Sequence, residues 1–122
     1  MVSVGKNHRF KEWLIKEMGL RDWSQADLAR SSELNRAVIN KLLNGQSNPS
    51  PATLEGIARA FRVPIESVYR IAGLLPNIPE EDRFIEDSTH LLRQIKDSSR
   101  RATALVLIKA LVSEEERENY KR

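Results

Sequence analysis

A chain of 122 residues with 30% charged residues and a formal net charge of +3 has room for one domain with a real hydrophobic core, or one domain and an appendage. It contains no cysteine, which rules out disulfides and cysteine-based metal sites and fits a reducing compartment. Met1 to Arg9 carry no secretory pattern and no apolar run is long enough to span a bilayer, so a soluble cytoplasmic protein without membrane contact is expected.

Between Asn7 and Met18, the residues Phe10, Trp13, Leu14 and Met18 form an apolar stripe opposite Lys11, Glu12 and Lys16. This is the pattern of a core helix, and an aromatic such as Trp13 in such a stripe is far more often core than a stacking platform. Ser24 then offers an N-cap, Asp27 three residues on completes a capping box, and Trp23 and Leu28 can staple the helix start. A helix beginning at Gln25 follows, with Leu28 and Ala29 inward and Ala29 small enough for a close crossing. Ser31, Ser32 and Glu33 break its apolar rhythm. Leu34 is the buried residue of the turn, and Asn35 caps a second helix whose Ile39 and Leu42 face the first. Arg36, Ala37, Asn40 and Lys41 are left looking outward. Asn44 and Gly45 end the helix, since both tolerate a left-handed cap.

Ser50 and Pro51 start the next helix, which carries Leu54, Ile57, Ala58 and Phe61. Pro64 starts another, with Ile65, Val68 and Ile71 inward and Tyr69 near the rim. Gly73 to Pro79, GLLPNIP, breaks the helical run and suggests a boundary between residues 1–73 and 74–122. The apolar Leu74, Leu75 and Ile78 argue that this short connection is docked. Glu80 to Lys96 reads as an amphipathic helix with acidic residues in its first turn and Phe84, Ile85, Leu91, Leu92 and Ile95 along one side.

Ala102 to Val112, ATALVLIKALV, is apolar almost all round and needs cover on most faces. One amphipathic neighbour is hardly enough, so Leu105, Val106, Ile108, Leu111 and Val112 are expected to build a dimer interface; the alternative is that they tuck against the front half within one chain. Ser113 and Glu116 suggest a capping box that starts a charged last helix.

The segment Ser24–Gly45 resembles the helix-turn-helix of the Cro and phage-repressor type, the XRE family. The resemblance rests on Ser24-Gln25, Leu28-Ala29, Ile39 and Leu42, and on Asn44-Gly45 followed by Asn48-Pro49-Ser50. It continues through Thr53-Leu54, Ile57-Ala58 and Ala60-Phe61 to Val63-Pro64 and covers about residues 8–73. It implies an all-α, five-helix repressor-like DNA-binding domain, here followed by a short C-terminal helical extension.

Carried over residue by residue, the resemblance sets Gln25 at a helix N-terminus against a DNA phosphate, where backbone N–H groups and the helix dipole favour an anion. Asn44 and the loop to Asn48 would touch the backbone across the groove, and Ser24 and Asn35 join the phosphate contacts. Arg36, Ala37, Asn40 and Lys41 occupy the positions that meet base edges or adjoining phosphates. Arg36 can bond guanine O6 and N7 together, Asn40 can pair with adenine in a similar way, and Ala37 can meet only a thymine methyl. Lys41 is placed to reach phosphate more readily than base. Glu33 departs from the family pattern, standing where glycine is usual, and Leu43 replaces a residue that is usually charged; an exposed leucine there would be expected to pack on the C-terminal region or a partner chain. For Arg36 the structural alternative is an exposed helix arginine paired with Glu33.

Charge is uneven along the chain. Residues 1–73 hold 11 Lys and Arg against 7 Asp and Glu, whereas residues 74–122 hold 9 against 10. The positive surplus therefore lies on the motif half, which supports phosphate contact by Lys6, Arg9, Arg36 and Lys41.

Two-fold pairing on half-sites one helical turn apart multiplies the discrimination of a single motif, so a homodimer on a palindromic double-stranded operator is expected. Catalysis has little support: His8 and His90 are isolated, and neither a phosphate-binding glycine loop nor metal-ligand spacing occurs. No cofactor is expected. The rival reading is a protein-interaction module of the antitoxin type, whose C-terminal half binds a partner protein while the front half regulates its own operon.

Overall fold

The computed structural model describes residues 2–45 and 48–121, with side chains described for residues 8–45 and 48–121. Among these residues regular structure is entirely helical: α1 (Val2–Arg21), α2 (Gln25–Ser32), α3 (Arg36–Leu43), α4 (Pro51–Phe61), α5 (Ile65–Ile71), α6 (Glu80–Arg93) and α7 (Ser98–Lys121). They fall into two compact units, Met1–His90 and Leu91–Arg122.

The first unit contains the five-helix arrangement. Phe10, Leu14 and Met18 of α1 meet Leu28 of α2, Ile39 and Leu42 of α3, Leu54, Ile57 and Phe61 of α4, and Val68 of α5 in one core. The helical spacing of these residues produces one buried face per helix, and those faces close on one another. Helix α2 packs on α3 and α4, α4 on α5, and α1 on α3 and α5.

Three helices of this unit end in left-handed residues other than glycine: Asp22 (φ +56°), Glu33 (φ +61°) and Arg62 (φ +58°). After α1 and α4 the reversal is closed by a backbone hydrogen bond from Trp23 to Met18 (2.9 Å) and from Val63 to Ala58 (3.1 Å), as in a Schellman cap. In each case the residue after the left-handed one is apolar and packs on the core.

Ser32 belongs to this core. The serines 31 and 32 look in the sequence like a break in the apolar pattern, yet Ser32 is 0% exposed and lies in the last turn of α2. Its hydroxyl donates to the Leu28 carbonyl (2.6 Å) and accepts from the Leu34 N–H (3.3 Å), so burial leaves no polar atom without a partner. Helix α4 approaches closely here: a Cβ on Gly56 would stand 2.9 Å from the Ser32 carbonyl oxygen. The close crossing of α2 and α4 therefore depends on Gly56.

The connection after α5 is held by polar contacts. Of the three apolar residues that suggested docking, Leu74 and Leu75 are exposed and Ile78 is half-buried; Arg9 donates to the Asn77 side chain (3.0 Å). Helix α6 is held in the same manner. Arg70 donates to Glu86 (2.5 Å), and the buried Ser67 hydroxyl lies within hydrogen-bond reach of Glu86 (2.9 Å) and Asp87 (3.0 Å). The compact unit accordingly runs past Gly73, where the sequence suggested a boundary.

The Arg70 hydrogen bond holds the Glu86 carboxyl below the usual carboxylate range, against the opposing effect of its partial burial. A depressed pKa contributes stability that is complete above the unfolded-state value and is lost as pH falls through the folded value. At neutral pH, Glu86→Gln is expected to be less stable than the wild type by about 1.5–3 kcal/mol, the range for a hydrogen bond to a charged group. The difference narrows as the pH falls below about 4. Urea titrations across that range measure it, and a pH-independent difference would contradict the ion-pair account.

In the second unit, Asp97 starts α7: its carboxylate accepts from the Arg100 N–H (3.0 Å) and its carbonyl from the Arg101 N–H (3.0 Å). From there α7 runs without interruption to Lys121. The separate last helix expected at Ser113 does not form. Neither glycine nor proline occurs between Ser98 and Lys121, and a serine that caps must leave helical geometry, giving up hydrogen bonds that the continuous helix keeps.

Candidate nucleic-acid interface

Each helix of the pair α2–α3 starts on a side-chain cap. The Ser24 hydroxyl accepts from the Asp27 N–H (3.2 Å), and the Asp27 carboxylate accepts from the Ser24 N–H (2.8 Å). The Ser24 backbone N–H and then its hydroxyl hold the Asp27 carboxyl below its ordinary range, and Arg30 pairs with the same carboxylate. Both donors of Ser24 are thus directed at Asp27. Its contribution to an anion site is to shape the helix start. Beyond it, the N–H groups of Gln25 and Ala26 point along the helix axis with no acceptor among the described residues, the orphan donors of a helix start.

Asn35 caps α3 by accepting from the N–H groups of Ala37 (2.8 Å) and Val38 (3.2 Å). Its amide nitrogen is outside those bonds. Within α3, Ile39 and Leu42 are buried, while Arg36, Ala37, Asn40 and Lys41 are exposed on the other side of the helix. The helical repeat of 3.6 residues sets these four in one arc, with Asn44 continuing it. Asn44 caps the helix in a right-handed conformation, and the left-handed position falls to Gly45 (φ +66°). A long contact (3.4 Å) joins the Asn44 and Asn40 side chains. Among the described residues no ion pair engages Arg36, so the expected alternative of a pair with Glu33 is not formed.

Leu43 packs within its own domain, half-buried against the core. It shares a shallow dimple of about 360 Å³ with Ile15, Met18, Trp23 and Gln25. The end of α3 and the start of α2 are thereby brought side by side.

Asn48 is exposed and Arg9 is turned toward Asn77. The side chain of Lys6 lies outside the described residues, as do Gln46 and Ser47. Lys11 was not singled out by the sequence, in which it sits on the polar side of α1. Its Cδ stands 3.9 Å from the point a Cβ on Gly45 would occupy, so its stem runs beside the end of α3. Only the α1–α3 crossing reveals that placement. In the second unit, Leu105, Val106, Ile108, Leu111 and Val112 of α7 are all exposed, Leu111 by 65%. No helix among the described residues is long and apolar enough to cross a membrane.

Comparison with known proteins agrees with this geometry. The Helix-turn-helix family model matches residues 14–68, which span α2 and α3 and the helices that pack on them. The Competence pilus inhibition repressor of Acinetobacter baylyi is 31% identical over 90 residues, 74% of this chain and 74% of that protein. The HTH-type transcriptional regulator RghRB of Bacillus subtilis is 39% identical over 57 residues, 46% of this chain and 41% of that protein. No solved structure gives a significant match. With two capped helices crossing as a pair and a polar face open on the second, the chain belongs to the XRE-type helix-turn-helix family of DNA-binding transcriptional regulators.

Proposed function

We propose that this chain is a repressor that sets α3 in the major groove of a palindromic operator and binds there as a homodimer. The observation that carries the reading is the outward arc of α3: Arg36, Ala37, Asn40 and Lys41 are exposed together while the opposite side of the helix is locked in the core. An α-helix fits the major groove of B-form DNA, and such an arc meets base edges there. Arg36 reads guanine, Asn40 reads adenine and Ala37 contacts a thymine methyl, while Lys41 holds phosphate. The N–H groups of Gln25 and Ala26 bind a phosphate at the α2 start, organised by Ser24. Asn35, Asn44 and Asn48 contact the backbone, with Lys6, Arg9 and Lys11 as further cationic contacts.

The dimer rests on α7, where Leu105, Val106, Ile108, Leu111 and Val112 expose more apolar surface than a solvated helix of a monomer ordinarily does. Pairing of two copies covers it and supplies the two-fold symmetry of the operator. The role is regulatory, without catalysis, and belongs in the cytoplasm.

Selection of bound sites from random duplex DNA with the full chain tests the reading. The expected product is a two-fold symmetric sequence with half-sites about 10 base pairs apart, or a multiple of that. If no sequence is enriched, operator binding is refuted. Sedimentation equilibrium at micromolar concentration is expected to return a dimer; a monomer there would remove the dimer and leave the DNA contact standing.

A further inference from the structure

We infer that two copies of this chain pair antiparallel through one face of α7, about a two-fold axis at Ile108. This rests on the dimer reading above and deepens it, because that reading leaves both the face and the direction of pairing open.

Every residue the contact uses lies in α7 and within the second unit. Seven residues make close to two turns of helix, so Arg101, Ile108 and Glu115 fall in one line along it. Ala104 and Leu111 flank that line on one side and Leu105 and Val112 on the other, the spacing of a coiled-coil seam. Ile108 is 42% exposed, Val112 49%, Leu105 58% and Leu111 65%. The other side of the helix is mixed, carrying Thr103, Ala110, Ser113 and Arg117. Turning the seam onto the neighbouring Leu107 would replace Leu105 and Val112 by Thr103 and Ala110. Apolar surface therefore favours the face centred on Ile108.

The pattern on that face reads the same from either end. A two-fold axis at Ile108 sets Leu105 beside Val112 of the second copy and Ala104 beside its Leu111, with Ile108 against itself. This is the self-complementarity an isologous contact requires. In each flanking pair the smaller side chain meets the larger, so the seam closes without a gap.

Charge selects the same partner and the same direction. Arg101 and Glu115 stand seven residues before and after Ile108, both exposed, and among the described residues no ion pair engages either. Arg101 Nε donates to the Ile95 carbonyl (2.5 Å), which leaves the terminal nitrogens of its guanidinium outside that bond. Antiparallel pairing sets each Arg101 against Glu115 of the other copy, at both ends of the seam. Parallel pairing would set arginine on arginine and glutamate on glutamate. Arg100 and Glu116 flank the two positions with the same signs, and antiparallel helices also oppose their dipoles. A second α7 supplies both complements at the spacing this face demands.

The absence of cysteine makes the test direct, since Ile108→Cys, Ala104→Cys and Ala110→Cys each introduce a single thiol into the full chain. At the axis the two thiols of Ile108→Cys meet. Those of Ala104→Cys are separated along the antiparallel pair by roughly 12 Å of helix rise, and Ala110 lies on the opposite side of α7. Mild oxidation is expected to give a covalent dimer of Ile108→Cys at least about tenfold faster than of either other variant, because a disulfide spans only roughly 4.4–6.8 Å between Cα atoms. Independently, Arg100→Glu with Arg101→Glu is expected to shift sedimentation equilibrium toward monomer, and adding Glu115→Arg and Glu116→Arg to restore the dimer. Crosslinking of Ala104→Cys as fast as Ile108→Cys would mean parallel helices, and equal rates for Ile108→Cys and Ala110→Cys in a protein that sediments as a dimer would mean another face. Either result, or a failure of the second charge change to restore the dimer, would overturn the antiparallel seam and leave the dimer reading standing. A wild type that sediments as a monomer would overturn both.

Discussion

Phe61→Ala is expected to lower the thermal midpoint by about 15–30 °C, the equivalent of about 3–5 kcal/mol for an emptied aromatic site in a domain of this size. The side chain is 3% exposed at the end of α4. Its ring meets Trp13 edge-on at 5.5 Å between centroids and stacks on Trp23 at 5.6 Å. The Arg21 guanidinium lies over it at 4.4 Å, and Arg21 also donates to the Phe61 carbonyl (3.2 Å). One side chain thus joins α1, the segment leading into α2, and α4. Truncation empties the site and leaves the two tryptophans and the arginine without their common partner, so aromatic and cation–π contributions disappear together with the transfer free energy of the ring. Native domains have only about 5–15 kcal/mol in reserve. Circular dichroism against temperature and urea measures the effect, and a midpoint shift below about 4 °C, the equivalent of less than 1 kcal/mol, would mean that Phe61 is not the joint described.

Arg36→Ala is expected to weaken operator binding by about 5–150-fold per half-site, the equivalent of 1–3 kcal/mol for a bidentate base contact, and to relax the preference at one position of each half-site. The fold should be unaffected, because Arg36 is the exposed first residue of α3 and alanine is a good helix former there. Lys41→Ala supplies the contrast: removing a cation that holds phosphate weakens binding to all sequences alike and lowers the salt slope by about one unit. Parallel selections with wild type and Arg36→Ala separate the two. If both enrich the same sites equally strongly, Arg36 does not read a base.

The local chemistry of the motif was legible because it is contained within a few residues. Ser24 with Asp27, Asn35, and Ser50 before Pro51 make the cap hydrogen bonds that their types and spacing imply. Glu33 takes the left-handed turn position where glycine is usual. Features set by contact between distant segments were not legible. Ser32 reads as a polar interruption; the approach of α4 at Gly56 buries it, and its local bonds to the Leu28 carbonyl and the Leu34 N–H make that burial tolerable. Leu43 reads as an orphan leucine until the fold half-buries it against the core. Lys11 acquires a place near the end of α3 only through the crossing of α1.

The amphipathic α6 marks the division most clearly. Helical period and composition determined by themselves that an acidic-started helix with one apolar stripe would form after Pro79, that capped helices would surround Ile39 and Leu42, and that Arg36, Ala37, Asn40 and Lys41 would share an outward arc. Those outcomes follow from hydrogen bonds and side-chain periodicity within about four residues. Tertiary structure alone decided which way α6 faces, because the choice depends on whether Arg70 and Ser67 can satisfy Glu86 and Asp87. Those partners lie 16 to 20 residues away, and the stability of a half-buried charge is set by the groups that fold around it.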